Sequence, residues 1–259
     1  MDINETGREL KGRHPWELSR TKSILKVVSG YLSVMHGDGS GKRYINVGAG
    51  DLYFDHALLK EYEKDVVYAV DIGYQSGEKN KDQREKKFRY LGEIVENDFD
   101  FAIMMDSLEY MEDDEEYVKE LCSMVRGGGY LFFTVPAFQK LYSEHDVIVK
   151  NLRRYDRKPF GKMIEGIPRL EVVEEHYFYF SLLCVRWLQK ILHMKIDPEH
   201  KVTTGWNFGE KSLVTRLVTG CLNFDFVMGR ALSKFKLFLP GLSLLAICKK
   251  EDCGRKDFM

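Results

Sequence analysis

The stretch INVGAGDLYFDHALL, Ile45 to Leu59, decides how the rest of the chain is read. Apolar Ile45 and Val47 close a short strand, a Gly-Ala-Gly turn follows, and FDHALLKEYEK then carries a helical pattern. A strand that breaks on glycines into a helix is the repeating unit of parallel α/β sheets, and the glycines let the backbone turn tightly and approach a ligand closely. Upstream, Leu18, Leu25, Val28 and Leu32 predict an amphipathic helix from Trp16 to Leu32. Downstream, DVVYAVD is a second strand ending in Asp71, and the polar Ser76–Lys87 stretch is a loop with a helical portion. FDFAIMM is a further strand, DDEEYVKELCSMVRGGG a helix with acids in its first turn and Gly127 placed to end it, and GYLFFTVP a strand stopped by Pro136. LEVVEEHYFYF and LSLLAICKK are the last two strands, with two apolar helical patterns between them. Strand and helix alternate, so the expectation is an α/β fold: a mostly parallel sheet with helices on both faces.

Composition narrows the function classes. With 259 residues and a formal net charge of −1, the chain has length for one large core and no global field to gather nucleic acid. From Asp146 onward it carries 20 Lys and Arg against 13 Asp and Glu, a local excess suited to an anionic substrate or a membrane surface. Five cysteines without CxxC spacing read as reduced thiols of a cytoplasmic protein, and the histidines lack partners at metal-ligand spacing, so no metal is expected. The polar N-terminus has no apolar core of a signal peptide, and the longest apolar run, YFYFSLLCVRWLQKIL, is broken by Arg186 and Lys190.

In sheets of this kind ligands sit at the carboxyl ends of the strands. Gly48 and Gly50 follow the first strand, and Asp71 ends the second, where a carboxylate can accept from both hydroxyls of a ribose. A dinucleotide fingerprint would need Gly or Ala three residues after Gly50; the chain has Tyr53. That ring argues against pyrophosphate, and so against a nicotinamide-dependent oxidoreductase, and for S-adenosyl-L-methionine.

RHPWELSR, NVGAGDLYF, VDIG, the run from FDFAIMMDSLEY through VRGGGYLFFTVPA, YSEHDVIVKNLRRYDRKPF and GLSLLAICKK together resemble bacterial class I S-adenosylmethionine-dependent methyltransferases of the type 11/type 23 group. The resemblance runs from His14 to Lys250. It implies a Rossmann-like seven-stranded sheet with a final antiparallel hairpin, in a single domain over residues 1–259. Residues 14–36 would form an N-terminal helix or lid bearing Trp16 and Arg20, 43–177 and 242–250 the core sheet, and 178–241 a helical cap inserted before the last strand. It further implies that Gly48 and Gly50 pass beneath the methionine end of the cofactor and that Asp71, with Ile72 beside it, holds the ribose. Asp106, Ser107 and Leu108 would line the sulfonium and adenine, with Glu93 or Ile94 near the adenine edge. Asn46 stands where the family usually has an acid, Leu52 where it often has Gly, and Asp51 offers a compensating carboxylate.

Methyl transfer from a sulfonium asks the protein mainly to align the nucleophile and exclude water; a base is needed only for a protonated acceptor. His145 is the candidate base, with Asp146 or Glu144 to orient it. Tyr142, Arg153, Arg154 and Tyr155 are candidate acceptor contacts, the arginines for an anionic group or for internal ion pairs. Phe178, Phe180, Trp187 and Trp206 would line an apolar pocket or form a small core. The expected partners are a small-molecule, glycan or lipid-linked acceptor, a second copy of the chain or a peripheral membrane surface, and no nucleic acid. The rival reading is a noncatalytic binding module of the same fold with a weakened cofactor site.

Overall fold

A computed structural model describes residues 13–71, 88–90, 98–192, 206 and 208–252. Its elements in chain order are α1 (Pro15–Met35), β1 (Arg43–Val47), α2 (Tyr53–Glu61), β2 (Val66–Val70), β3 (Phe88–Tyr90), β4 (Phe99–Met105), α3 (Asp114–Met124), β5 (Val125–Pro136), α4 (Glu144–Ile148), α5 (Arg157–Glu165), β6 (Leu170–Phe178), α6 (Phe180–Ile191), α7 (Leu213–Ser233) and β7 (Ser243–Lys250). The strands form one seven-stranded sheet in the order β3-β2-β1-β4-β5-β7-β6. β1 to β5 pair in parallel, whereas β7 runs antiparallel to both β5 and β6.

The central strands are buried on both faces, which explains their nearly unbroken apolar runs. On one face Ile24, Val28 and Leu32 of α1, Leu58 of α2 and Leu222 and Phe226 of α7 pack against Phe101, Ile103 and Ile247. On the other, Val118 and Leu121 of α3 and Phe160 and Ile164 of α5 pack against Met104, Phe133 and Ala246. α1 begins as its sequence directs: His14 accepts the Trp16 amide through Nδ1 at 3.2 Å, and Pro15 occupies the first turn, where its missing N–H costs nothing.

One expectation needs correction. α3 ends at Met124, three residues before Gly127, and β5 begins at once with Val125. The ammonium of Lys250, at the end of β7, donates to the carbonyls of Cys122 (2.8 Å) and Val125 (2.6 Å), so a distant cation caps the helix where a glycine was expected to. Gly128 instead serves the sheet. Its φ of +75° lies in the left-handed region, within an irregularity where the pairing jumps from Phe99↔Val125 to Phe101↔Tyr130. Helices α6 and α7 lie between β6 and β7, where the insertion before the last strand was expected. α7 lies in the layer of α1, with Asn223 accepting from Ser19 and Ser23, and packs on β6. It completes the sheet's cover, and Phe178 is core beside Phe226. The predicted Ser76–Lys87 loop lies outside the described residues.

Candidate functional site

The carboxyl ends of β1, β2 and β4 meet at the glycine turn. The amides of Gly48 and Ala49 donate to the Val70 carbonyl at 2.7 and 3.1 Å, folding the turn against the end of β2. Gly48 has φ +74°, and a Cβ there would collide with the side chain of Ser107, whose hydroxyl donates to Val47 at 2.8 Å. Glycine is therefore required at 48 by both conformation and space. Asp71 accepts the Gly50 amide at 2.9 Å, so the spacing of glycine turn and second-strand acid closes into direct contact. Leu52 enters α2 at φ +61°, a left-handed conformation that a glycine would adopt without strain.

Beneath the turn lies a buried polar cluster. The amide nitrogen of Asn46 donates to both oxygens of Asp55 (2.9 and 2.8 Å), and Tyr44 donates to Asp55 at 3.3 Å. Burial holds the Asp55 carboxyl up at about 7 despite those donors. Asn46 is itself fully buried and turned to Asp55, while its Oδ1 has no hydrogen-bond partner. Its placement is below the turn, and a role toward a cofactor amine would need that oxygen.

α1 lies across the opening. Arg13 pairs with Asp51 and lies over the Tyr53 ring at 3.7 Å; Arg20 pairs with Asp106 and lies 4.3 Å over Trp16. Asp106 also accepts from Thr134 at 3.1 Å. Arg13, Glu17, Arg20, Gly48, Asp51 and Met105 are among the residues around a cleft at this opening. Next to Asp106, Glu109 is buried with one oxygen unpartnered, and burial together with the Asp106 charge raises its pKa well above the usual carboxylate range. Leu108 is buried in the core beneath it.

The segment after β5 behaves differently from its reading. Asp146 accepts from Ser143 (2.9 Å), Asn151 (3.2 Å) and Arg154 (2.8 Å), so it orients the loop and not His145. Arg154 is buried in that ion pair. Arg153 pairs with Asp114 at 2.8 Å and donates to the Glu112 carbonyl at 2.8 Å. Tyr155 donates to Asp114 at 2.8 Å, and Tyr142 to the Asn151 carbonyl at 2.7 Å. Arg153 and Tyr155 thus tie the segment after β5 to residues 108–114 beyond β4, while Tyr142 and Arg154 bond within the segment. His145 is half-buried; burial lowers its pKa, and the nearby Arg186 charge on α6 lowers it further. Trp206 donates to Thr215 at 2.7 Å and meets His14 edge-on, whereas Phe180 and Trp187 are exposed. Ile72, Glu93 and Ile94 lie outside the described residues, and among the described residues no cluster could hold a metal.

The sequence reading missed Arg13, Asp55, Glu109 and Arg186. Glu17 and Arg20 share one face of α1 at i and i+3, and Arg13 stands four residues before Glu17, a spacing that was available. Asp55 and Glu109 gave none, because their burial follows from tertiary packing.

Comparison with known proteins matches residues 23–190 to a family model described as a methyltransferase domain. No curated protein matches the chain. Among solved structures, a putative sarcosine dimethylglycine methyltransferase from Galdieria sulphuraria superposes with a TM-score of 0.54 at 13% identity, over 88% of this chain and 86% of that one. A Haemonchus contortus phosphoethanolamine N-methyltransferase 2 in complex with S-adenosyl-L-methionine gives 0.49 at 12% identity, over 86% of this chain and 53% of that one. A putative methyltransferase from Bacillus halodurans gives 0.47 at 15%, over 82% and 94%.

Proposed function

The chain belongs to the methyltransferase domain family, and from that premise we propose that it transfers a methyl group from S-adenosyl-L-methionine to a small-molecule, glycan or lipid-linked acceptor. The observation that carries this reading is the chemistry of the opening. Asp51, Asp71 and Asp106 surround the glycine turn, and carboxylates suit a ligand bearing an ammonium, a sulfonium and two ribose hydroxyls. When bound, the cofactor supplies an activated methyl group on a good leaving group. Asp71 is assigned the ribose hydroxyls, and Gly48 and Gly50 a close backbone approach to the methionine end. Asp106, Ser107 and Leu108 are assigned the wall beside it. Arg13 and Arg20 would leave their aspartates as the ammonium and sulfonium of the cofactor take the place of the guanidinium groups. His145, with its pKa lowered, is neutral at pH 7 and able to take a proton from an acceptor hydroxyl or amine.

Calorimetric titration with S-adenosylmethionine, S-adenosylhomocysteine and NAD in parallel tests this reading. Micromolar binding of the two sulfur compounds alone supports it. Binding of NAD would transfer the site to redox chemistry, and binding of none would favour the noncatalytic module.

A further inference from the structure

α7 is apolar on both of its faces. Its inner face, Leu222 and Phe226 with Gly229 between strand and helix, packs on the sheet. Its outer face carries Leu213, Leu217, Gly220, Phe224, Val227 and Ala231, a stripe at alternating spacings of four and three, all exposed. Phe224 is 69% exposed. A surface helix ordinarily turns charge outward, and a helix apolar all round is one with a second apolar surface to meet. α6 repeats the pattern with Val185, Trp187 (60% exposed), Leu188 and Ile191, and the turn after α7 presents Phe235 (76%) and Leu237. Val147, Ile148 and Leu152 around the His145 loop are also exposed, and Arg186 of α6 acts electrostatically on His145 there. A patch this large on one side of a chain marks an interaction site.

Charge decides between occupants. From Phe180 to Gly241 the sequence has nine Lys and Arg against four Asp and Glu. From Ser212 to Leu239 the one carboxylate is Asp225, which is buried and accepts the amides of Phe180 (2.9 Å) and Ser181 (2.7 Å). Exposed Lys211 and Arg216 stand at one end of the stripe, and Lys234 and Lys236 alternate with Phe235 and Leu237 at the other. A second copy seated on this face by two-fold symmetry would align these cations with their own equivalents, with no exposed carboxylate on α6 or α7 to pair them. An anionic bilayer meets both requirements: acyl chains for the aromatic and aliphatic residues, and phosphate headgroups for the bordering cations. We propose that α6, α7 and the 234–237 turn form a docking surface for an anionic membrane. The protein would then work from the bilayer face, with the His145 loop on the same side. No helix among the described residues is long and apolar enough to cross a membrane, so the contact is peripheral.

Flotation of the full chain with vesicles of neutral phosphatidylcholine, and with vesicles that also contain phosphatidylglycerol, tests the proposal without any dependence on cofactor binding or turnover. The expected result is retention on the anionic vesicles, weakened by added salt. Lys234→Gln/Lys236→Gln should lower partitioning about twenty-five-fold, at about fivefold per cation. Phe235→Ser/Leu237→Ser should also abolish retention while leaving the circular dichroism unchanged, since both side chains are exposed. Failure to float with either vesicle overturns the proposal. So does a dimer by light scattering that Phe224→Lys converts to monomer, which would give the face to a second copy.

Discussion

Asp71 holds the Gly50 amide as well as standing where a ribose is expected, so its replacement has two effects. Asp71→Ala should weaken S-adenosylmethionine binding by about 1–3 kcal/mol through lost charge-assisted hydrogen bonds, while Asp71→Asn keeps an acceptor for Gly50 and should lose less. Unchanged calorimetric affinity in the alanine variant would remove the ribose assignment. His145→Ala is expected to lower turnover with cofactor affinity intact. If His145 is the base, activity falls as pH drops through its pKa, which lies below the ordinary histidine value because of burial and Arg186. Arg186→Gln removes that positive charge and should move the acidic limb of the pH–rate profile upward. An unmoved limb assigns the ionisation elsewhere. At this scale the sequence revealed the pairing of glycine turn and Asp71, because one strand–helix–strand unit fixes both. It left open whether Arg153 and Arg154 bind an anion or pair internally, since Asp114 comes beside Arg153 only when the segment after β5 folds onto the start of α3.

Among the elements, α1 has the most direct bearing on ligand entry. Arg20 on α1 and Arg13 just before it pair with Asp106 and Asp51 at the opening, and a partly buried ion pair of this kind contributes about 1 kcal/mol. Arg20→Ala should therefore quicken cofactor association up to about fivefold in stopped-flow mixing. A slower rate would mean that Arg20 recruits the cofactor. At the other end of the molecule, Asp225 of α7 caps the first turn of α6 in the manner of an N-cap residue. Asp225→Ala should cost about 1–2 kcal/mol and raise hydrogen exchange at Phe180 and Ser181. The existence and order of the elements on either side of the glycine turn were legible because buried parallel strands must be apolar runs and their covering helices amphipathic. The end of α3 was not, because its cap comes from Lys250, a residue far along the chain. The place of α7 was equally hidden, since an apolar helix announces burial without saying against which surface.

For the molecule as a whole, His176 on β6 is buried against Phe226 with neither ring nitrogen hydrogen-bonded, and burial lowers its pKa to about 4. Between there and the ordinary value of about 6.5 the unfolded chain binds a proton that the folded chain refuses. Its contribution to stability is therefore present above that ordinary value and is lost as pH falls toward 4, by on the order of 3 kcal/mol. Asp55, held up at about 7, tilts stability the opposite way, so the comparison with His176→Leu isolates the histidine. Urea midpoints at pH 7.5 and 5 should fall less in that variant; parallel falls would clear His176 of the effect. The antiparallel arrival of β7 has a further consequence. The last strand enters between two strands that precede it in the chain, β5 and β6. A protein made from its N-terminus therefore carries two long unpaired strand edges throughout synthesis of the insertion. Until residue 250 has emerged, those edges are open to any other extended chain, and the interval before closure is when this fold is most exposed to aggregation.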